Sequence, residues 1–292
     1  MIKRSLLSVS DFVLFSNIFM SFCAVAQGLV TFYLIGATPV LPVIFLLFTA
    51  TLLIYNFSIL YPRPAKPDRS PQRRIRYFFR HYKLMLTLTI LAFLCLIPLF
   101  ILLSNKSEIL LILLGIISFC YSIPLFTLGN KKLGLRSIPG LKPIMIILVW
   151  TLSTVLIPVI EAHSLHSTTI SIRDTIILIA MQFLFIGALT IPFDIRDFFE
   201  DKQSGLKTIP VVLGEKNAYT FCQVMLTGYI ILLFIFKDNG LNHNFWVLSI
   251  TAVLTGWLIF KSKWEKNEYY YFFYMDGVLI LQYLMLLLFN KL

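Results

Sequence analysis

Asp194, Asp197 and Asp201 stand in IPFDIRDFFEDKQSGLKTIPVVLG, residues 191–214, where carboxylates crowd the end of one of the most apolar runs in the chain. If the apolar helix that begins upstream continues past Phe193, these three positions fall at i, i+3 and i+7, on one stripe of its surface. Like charges in register need a cation between them. A hard divalent ion with oxygen ligands, Mg²⁺ above all, answers that need and commonly holds a substrate phosphate as well. The plainer reading is a solvated helix end that Arg196, Lys202 and Lys207 neutralise, and the stripe alone leaves both open.

The elements that must position this stripe are membrane spans. Hydrophobic residues make up 58% of the 292 positions and charged residues only 13%, and the mean hydropathy is +0.85. A soluble domain of this length carries about a quarter charged residues, whereas apolar runs of about 20 residues between short polar loops are what a bilayer selects. Windows of about 19 residues give nine spans, near 11–35, 38–60, 83–103, 107–126, 143–161, 173–193, 217–236, 243–260 and 270–289. The first run is too long for a signal peptide and lacks a cleavage site, so it is expected to remain as the first span. With the N-terminus cytoplasmic, every Lys and Arg except Lys106, Arg173, Lys237 and Lys291, out of 25 in all, falls in an inside segment, which is the asymmetry that membrane insertion imposes. The expectation is therefore an all-α polytopic membrane protein forming one domain over residues 1–292. Its nine helices bundle around a central cavity, its C-terminus lies outside, and the acidic stripe is on the cytoplasmic side. The formal charge of +11 then reads as topology and affinity for anionic membrane lipid, not as a nucleic-acid footprint. The four cysteines all fall within spans and imply no disulfide framework.

Beyond the stripe, RDFFEDKQSGLKTIPVVLG resembles the second aspartate-rich motif of the UbiA superfamily of intramembrane prenyltransferases, with Asp197 and Asp201 matching its D-x-x-x-D, then Gly205, Thr208 and Gly214. A second likeness follows the fourth span, where YSIP, residues 121–124, is similar to the family's Y-S/T-x-P followed by basic residues; Lys131 and Lys132 come later than usual. The resemblance implies nine spans with the acidic motif in the cytoplasmic loop after the sixth. It also implies Mg²⁺ on Asp194, Asp197 and Asp201, a polyprenyl diphosphate as donor, an unidentified acceptor, and Tyr121 near the reacting carbon with Ser122 beside it.

One part of the family pattern is broken. After the second span the family reads N-D-x-x-D-x-x-x-D, but this chain has YNFSILYPRPAKPDRSPQRRIR: Asn56 matches, while Phe57, Leu60 and Pro64 replace the aspartates and Asp68 is followed by five arginines. A prenyl transfer begins by ionising an allylic diphosphate, whose leaving charge needs metal ions or cationic side chains in a dry site. The candidates for that missing half are cationic: Arg63, Lys66, Arg69 and Arg196, since guanidinium binds diphosphate oxygens bidentately. As an alternative, the basic loop only anchors the chain to an anionic leaflet. Two functions follow: a Mg²⁺-dependent prenyltransferase, or a catalytically silent UbiA-fold protein that binds an isoprenoid lipid or a membrane partner. Asn17, Gln27, Gln182, Gln282 and Asp276 are polar positions within spans and are expected to face the bundle interior. The aromatic run YYYFFY, residues 269–274, reads first as an interfacial belt and second as the lining of a prenyl pocket.

Overall fold

The fold is a bundle of nine apolar helices, seen in a computed structural model that describes residues 2–61, 64, 66–123, 126–128, 131–133, 138, 140–165, 168, 170–203, 206–238, 240–265 and 267–289. Among these residues the helices long and apolar enough to cross a bilayer are Ile18–Ile35, Leu41–Leu60, Tyr82–Ile101, Asn105–Ser122, Leu141–Ser164, Ile172–Arg196, Glu215–Ile235, His243–Trp264 and Tyr270–Phe289, the first to ninth spans. An antiparallel hairpin pairs Phe126–Leu128 with Lys131–Leu133 after the fourth span, and a short basic helix, Arg73–Arg80, precedes the third.

Local sequence sets several of the helix ends. Gly36 closes the first span in a left-handed conformation, φ 73°, which a residue without Cβ adopts at no steric cost. Ser171 and Asn242 open the sixth and eighth spans as N-caps, their side-chain oxygens accepting from Asp174 N at 3.0 Å and Phe245 N at 2.7 Å, satisfying amides that have no partner within the helix. The first span starts later than the hydropathy implies. Asn17 takes a left-handed conformation, φ 68°, and separates an N-terminal helix, Ile2–Phe15, from Ile18–Ile35.

Burial divides the bundle into a packed centre and a lipid-facing rim. The sixth span packs along the seventh through Gly187, where an added Cβ would stand 2.3 Å from Met225 Cε. The third span is mostly rim, with Ile90, Leu91, Phe93 and Leu94 exposed, as a helix facing hydrocarbon should be. The polar positions named above, Asn17, Gln27, Gln182, Gln282 and Asp276, are all buried. Mid-bundle, Gln27 Nε2 donates to Leu279 O (2.8 Å) and Gln282 Oε1 (3.1 Å), and Gln182 Nε2 donates to Gln27 Oε1 (3.0 Å). These bonds tie the first, sixth and ninth spans together, and buried amides need such partners because hydrocarbon offers none.

Two spans change helical pitch. Leu152–Leu156 in the fifth and Tyr270–Met275 in the ninth are π-helical. The second of these splits the aromatic run: Tyr270 and Tyr271 turn inward and are buried, while Phe273 and Tyr274 stay on the rim. The run is therefore part interior wall and part exposed edge, where the sequence reads first as a belt.

Candidate active site

Polar groups gather at one end of the bundle, where odd-numbered spans begin and even-numbered spans end. The sixth span does not carry a continuous acidic stripe. Its helix stops at Arg196, Asp197 forms the turn with φ −89° and ψ 10°, and Phe198–Gln203 starts a second short helix. The turn remains closely wound, with Asp201 N donating to Asp197 O at 2.9 Å. The fifth span supplies a cation at its first turn: Lys142 Nζ lies 2.8 Å from Asp194 Oδ1 and 3.3 Å from Asp201 Oδ2. Asp197 is held instead by its neighbour Arg196, whose Nε donates to Oδ1 at 2.8 Å and whose Nη2 donates to Oδ2 at 3.2 Å. Asp194 Oδ2 is buried and has no protein partner.

Across a cavity of about 260 Å³, whose walls include Asp194, Arg196 and Asp197, stands Arg74 from the basic helix. Arg74 Nη2 donates to Asn17 Oδ1, and Asn17 Nδ2 donates to Asn56 Oδ1 at 2.6 Å. The guanidinium carbon lies 5.9 Å from the Tyr55 ring and 5.1 Å from the Phe272 ring, distances at which a cation is attracted to the aromatic face. Desolvation by burial lowers the Arg74 pKa from its ordinary value, opposed chiefly by Tyr55 and Asp276; a guanidinium remains charged regardless. Arg196 Nη1 and Arg74 Nε, like Asp194 Oδ2, are buried without a protein partner. The three residues that carry these unpartnered atoms all line the one cavity. Buried polar atoms are nearly always paired, so their gathering beside one space makes it the candidate site for a ligand with oxygens to accept and charge to share.

Two further cavities, mostly apolar, share walls with this one. Tyr55, Arg74, Ile146 and Trp150 also line a second cavity of about 230 Å³ that reaches Tyr121 and Ser122. Tyr55 and Trp150 border a third of about 130 Å³ against Leu46, Leu96 and Leu111. Trp150 Nε1 donates to Tyr55 Oη at 3.0 Å, so this ring pair stands at the junction.

The UbiA prenyltransferase family matches residues 80–275, about two thirds of the chain. The chain belongs to the UbiA prenyltransferase family. The matched stretch contains the acidic motif and begins just after the loop in which the UbiA aspartates are missing. Among solved structures, a UbiA homologue from Archaeoglobus fulgidus bound to GPP and Mg²⁺ superposes with a TM-score of 0.67 at 14% identity, covering 97% of this chain and 100% of that one. The apo structure of a UbiA homologue from Aeropyrum pernix K1 gives 0.65 at 16%, covering 94% and 99%, and a structure concerned with digeranylgeranylglyceryl phosphate synthase in membranes gives 0.56 at 14%, covering 97% and 99%. These likenesses establish the UbiA fold. Compared with curated proteins by sequence, the chain has no match.

Within that fold the residues read from sequence scatter. Asp194, Asp197 and Arg196 line the polar cavity. Asp201 does not line the cavity and its carboxylate meets it through Lys142, and among the described residues no three His, Cys, Asp or Glu side chains are arranged to hold a metal by themselves. Tyr121 and Ser122 line the adjoining cavity, with Ser122 Oγ donating to Ser118 O at 3.1 Å. Asn56 does not line the cavity and is linked to it through Asn17 and Arg74, and its Nδ2 has no partner. Lys66 and Arg69 are exposed in and beside the short turn Pro67–Arg69 and do not line the cavity; the chain passes into the basic helix before an arginine turns inward. Lys131 and Lys132 belong to the hairpin. Arg63, Pro124 and Gly205 lie outside the described residues. Arg74 and Lys142 are the cations that sequence reasoning missed, because each was counted as part of a topological charge cluster.

Proposed function

We propose that this chain is a membrane prenyltransferase that moves a prenyl group from an allylic diphosphate to an acceptor and works with Mg²⁺. The observation that carries the reading is that Arg74, Arg196 and Asp194, each with one polar atom left unpartnered, line a cavity that shares its Tyr55 and Trp150 walls with two apolar cavities. That is the shape of a charged head joined to a hydrocarbon tail. Support comes from the UbiA homologues whose structures contain GPP or DMAPP with Mg²⁺.

Asp194 Oδ2, buried without a protein partner, would be the first oxygen for one hard cation, with Asp197 and Asp201, engaged here by Arg196 and Lys142, as the further carboxylates; bound there, Mg²⁺ would draw charge from a diphosphate. Arg196 beside the acids and Arg74 on the facing wall offer charge-assisted hydrogen bonds to the diphosphate oxygens as the C1–O bond breaks and its electron pair leaves with the diphosphate. Tyr55, Trp150 and Phe272 present ring faces to the allylic cation that remains. The acceptor's nucleophilic atom then bonds to C1 and releases its proton. Arg74 thus takes the part assigned from sequence to Lys66 and Arg69.

The test uses the full chain in detergent with geranyl diphosphate as probe. Geranyl diphosphate with Mg²⁺ should raise the melting temperature, since a ligand of the folded state stabilises it, and inorganic diphosphate should be released when native membrane lipid is supplied. No rise would sink the reading. A rise without any diphosphate release would favour the silent isoprenoid-binding protein.

A further inference from the structure

We infer that Glu268 is a positioning residue for the diphosphate site, acting by capping the basic helix Arg73–Arg80 and thereby fixing Arg74 in the cavity. The inference rests on the reading of Arg74 as a diphosphate ligand. Glu268 lies in the segment before the ninth span, 194 residues from Arg74 in sequence. Its Oε1 accepts from Arg73 N at 2.7 Å and its Oε2 from Arg74 N at 3.1 Å. Both oxygens of one carboxylate are thus spent on the first two amides of that helix.

The helix needs this help because its own sequence opposes its start. Gln72 occupies the N-cap position without a side-chain capping bond, the first turn contains no acid, and four of the eight residues in RRIRYFFR are arginine. Cations at a helix N-terminus repel the positive end of its dipole, and unanswered amides there are costly. A carboxylate brought from elsewhere relieves both. A second tie lies alongside: Arg73 Nη2 is 2.8 Å from Asp11 Oδ2, and Tyr269 Oη donates to Asp11 Oδ1. Phe78, fully buried, pins the inner face of the same helix.

Arg74 is the second residue of this helix, so the amide that Glu268 grips fixes the Cα from which the guanidinium reaches Asn17 and the rings of Tyr55 and Phe272. Glu268 itself does not line the cavity. Its influence on the ligand therefore passes through Arg74.

Two arms test this in the full chain in detergent. In the first, geranyl diphosphate with Mg²⁺ is titrated into the wild type, Glu268→Ala, Arg74→Gln and the double variant. Loss of a charge-assisted bond should weaken binding by roughly tenfold or more in either single variant. The double variant should lose no more than Arg74→Gln alone, because residues that act as a unit are not additive. Glu268→Gln, which keeps one acceptor oxygen, should recover part of the loss. The second arm needs no ligand: backbone hydrogen exchange over residues 73–80 should be slow in the wild type and faster in Glu268→Ala, while residues 276–289 exchange as before. Additive losses, or unchanged exchange over 73–80 in Glu268→Ala, would overturn the inference. A wild type that binds no geranyl diphosphate would remove the diphosphate reading of Arg74, and the exchange arm would still decide whether Glu268 holds the helix.

Discussion

At the scale of single residues, the acidic side of the site is built from charges that answer one another. Lys142 sits between Asp194 and Asp201, and Asp194 is almost wholly buried while the Lys142 side chain keeps 20% exposure. Removing one member of a buried pair costs about 3–5 kcal/mol because the other charge is left unanswered; given the exposure of Lys142, Lys142→Met should fall near or below the lower figure. The double variant Lys142→Met with Asp194→Asn should melt higher than Lys142→Met alone, and a scan of both checks it; equal melting would show that Asp194 does not depend on the lysine. Arg74→Gln should weaken geranyl diphosphate binding by roughly tenfold to a hundredfold, whereas Lys66→Ala and Arg69→Ala, being outside the cavity, should change it little and lose even that effect in salt. Titrations of the three variants at two ionic strengths separate these outcomes. The spacing of the carboxylates pointed to Asp194 and Asp197, which line the cavity, but not to the break at Asp197 that interrupts the stripe. The cationic side was not legible, because Arg74 is one of five arginines after Asp68, and only the helix that carries it determines which one faces inward.

At the scale of elements, hydropathy found the nine spans but not their interruptions. The ninth span matches the expected 270–289, while the fourth ends at Ser122, short of the expected 126, and the first is cut at Asn17. A left-handed residue and two π-helical segments leave no trace in an average of apolarity, since they depend on which buried bonds compete for the backbone. Asn17 shows the competition, bonded by side chain to both Asn56 and Arg74. Close approach between spans is likewise set by single small residues. Gly187 of the sixth span meets the flexible end of Met225, so Gly187→Ala should be absorbed by a shift of that side chain, whereas Gly187→Val should overpack the contact and destabilise by about 1–3 kcal/mol. Thermal melts of the two variants in detergent test the difference, and the valine variant should also weaken ligand binding, since the sixth span carries Asp194 and Arg196.

At the scale of the whole molecule, charge alternation and bundle geometry agree on which ends belong together. Asn17, Asn56, Arg74, Lys142, Asp194 and Asp276 come from starts of odd spans, ends of even spans and the basic loop, and all are drawn to one end of the bundle. We expect that end to face the cytoplasm. In sealed cells, an impermeant thiol reagent should label Lys106→Cys and leave Gln72→Cys unlabelled, and labelling of Gln72→Cys from outside would reverse the orientation. The junction between polar and apolar cavities carries a different consequence. Trp246, Trp257 and Trp264 are exposed on the rim, whereas Trp150 is 8% exposed and hydrogen-bonded to Tyr55 at that junction. With the three rim tryptophans changed to phenylalanine, the remaining indole becomes a built-in fluorophore: it lines the charged cavity and both apolar ones, so its emission should report in real time, without a label, a molecule entering any of them.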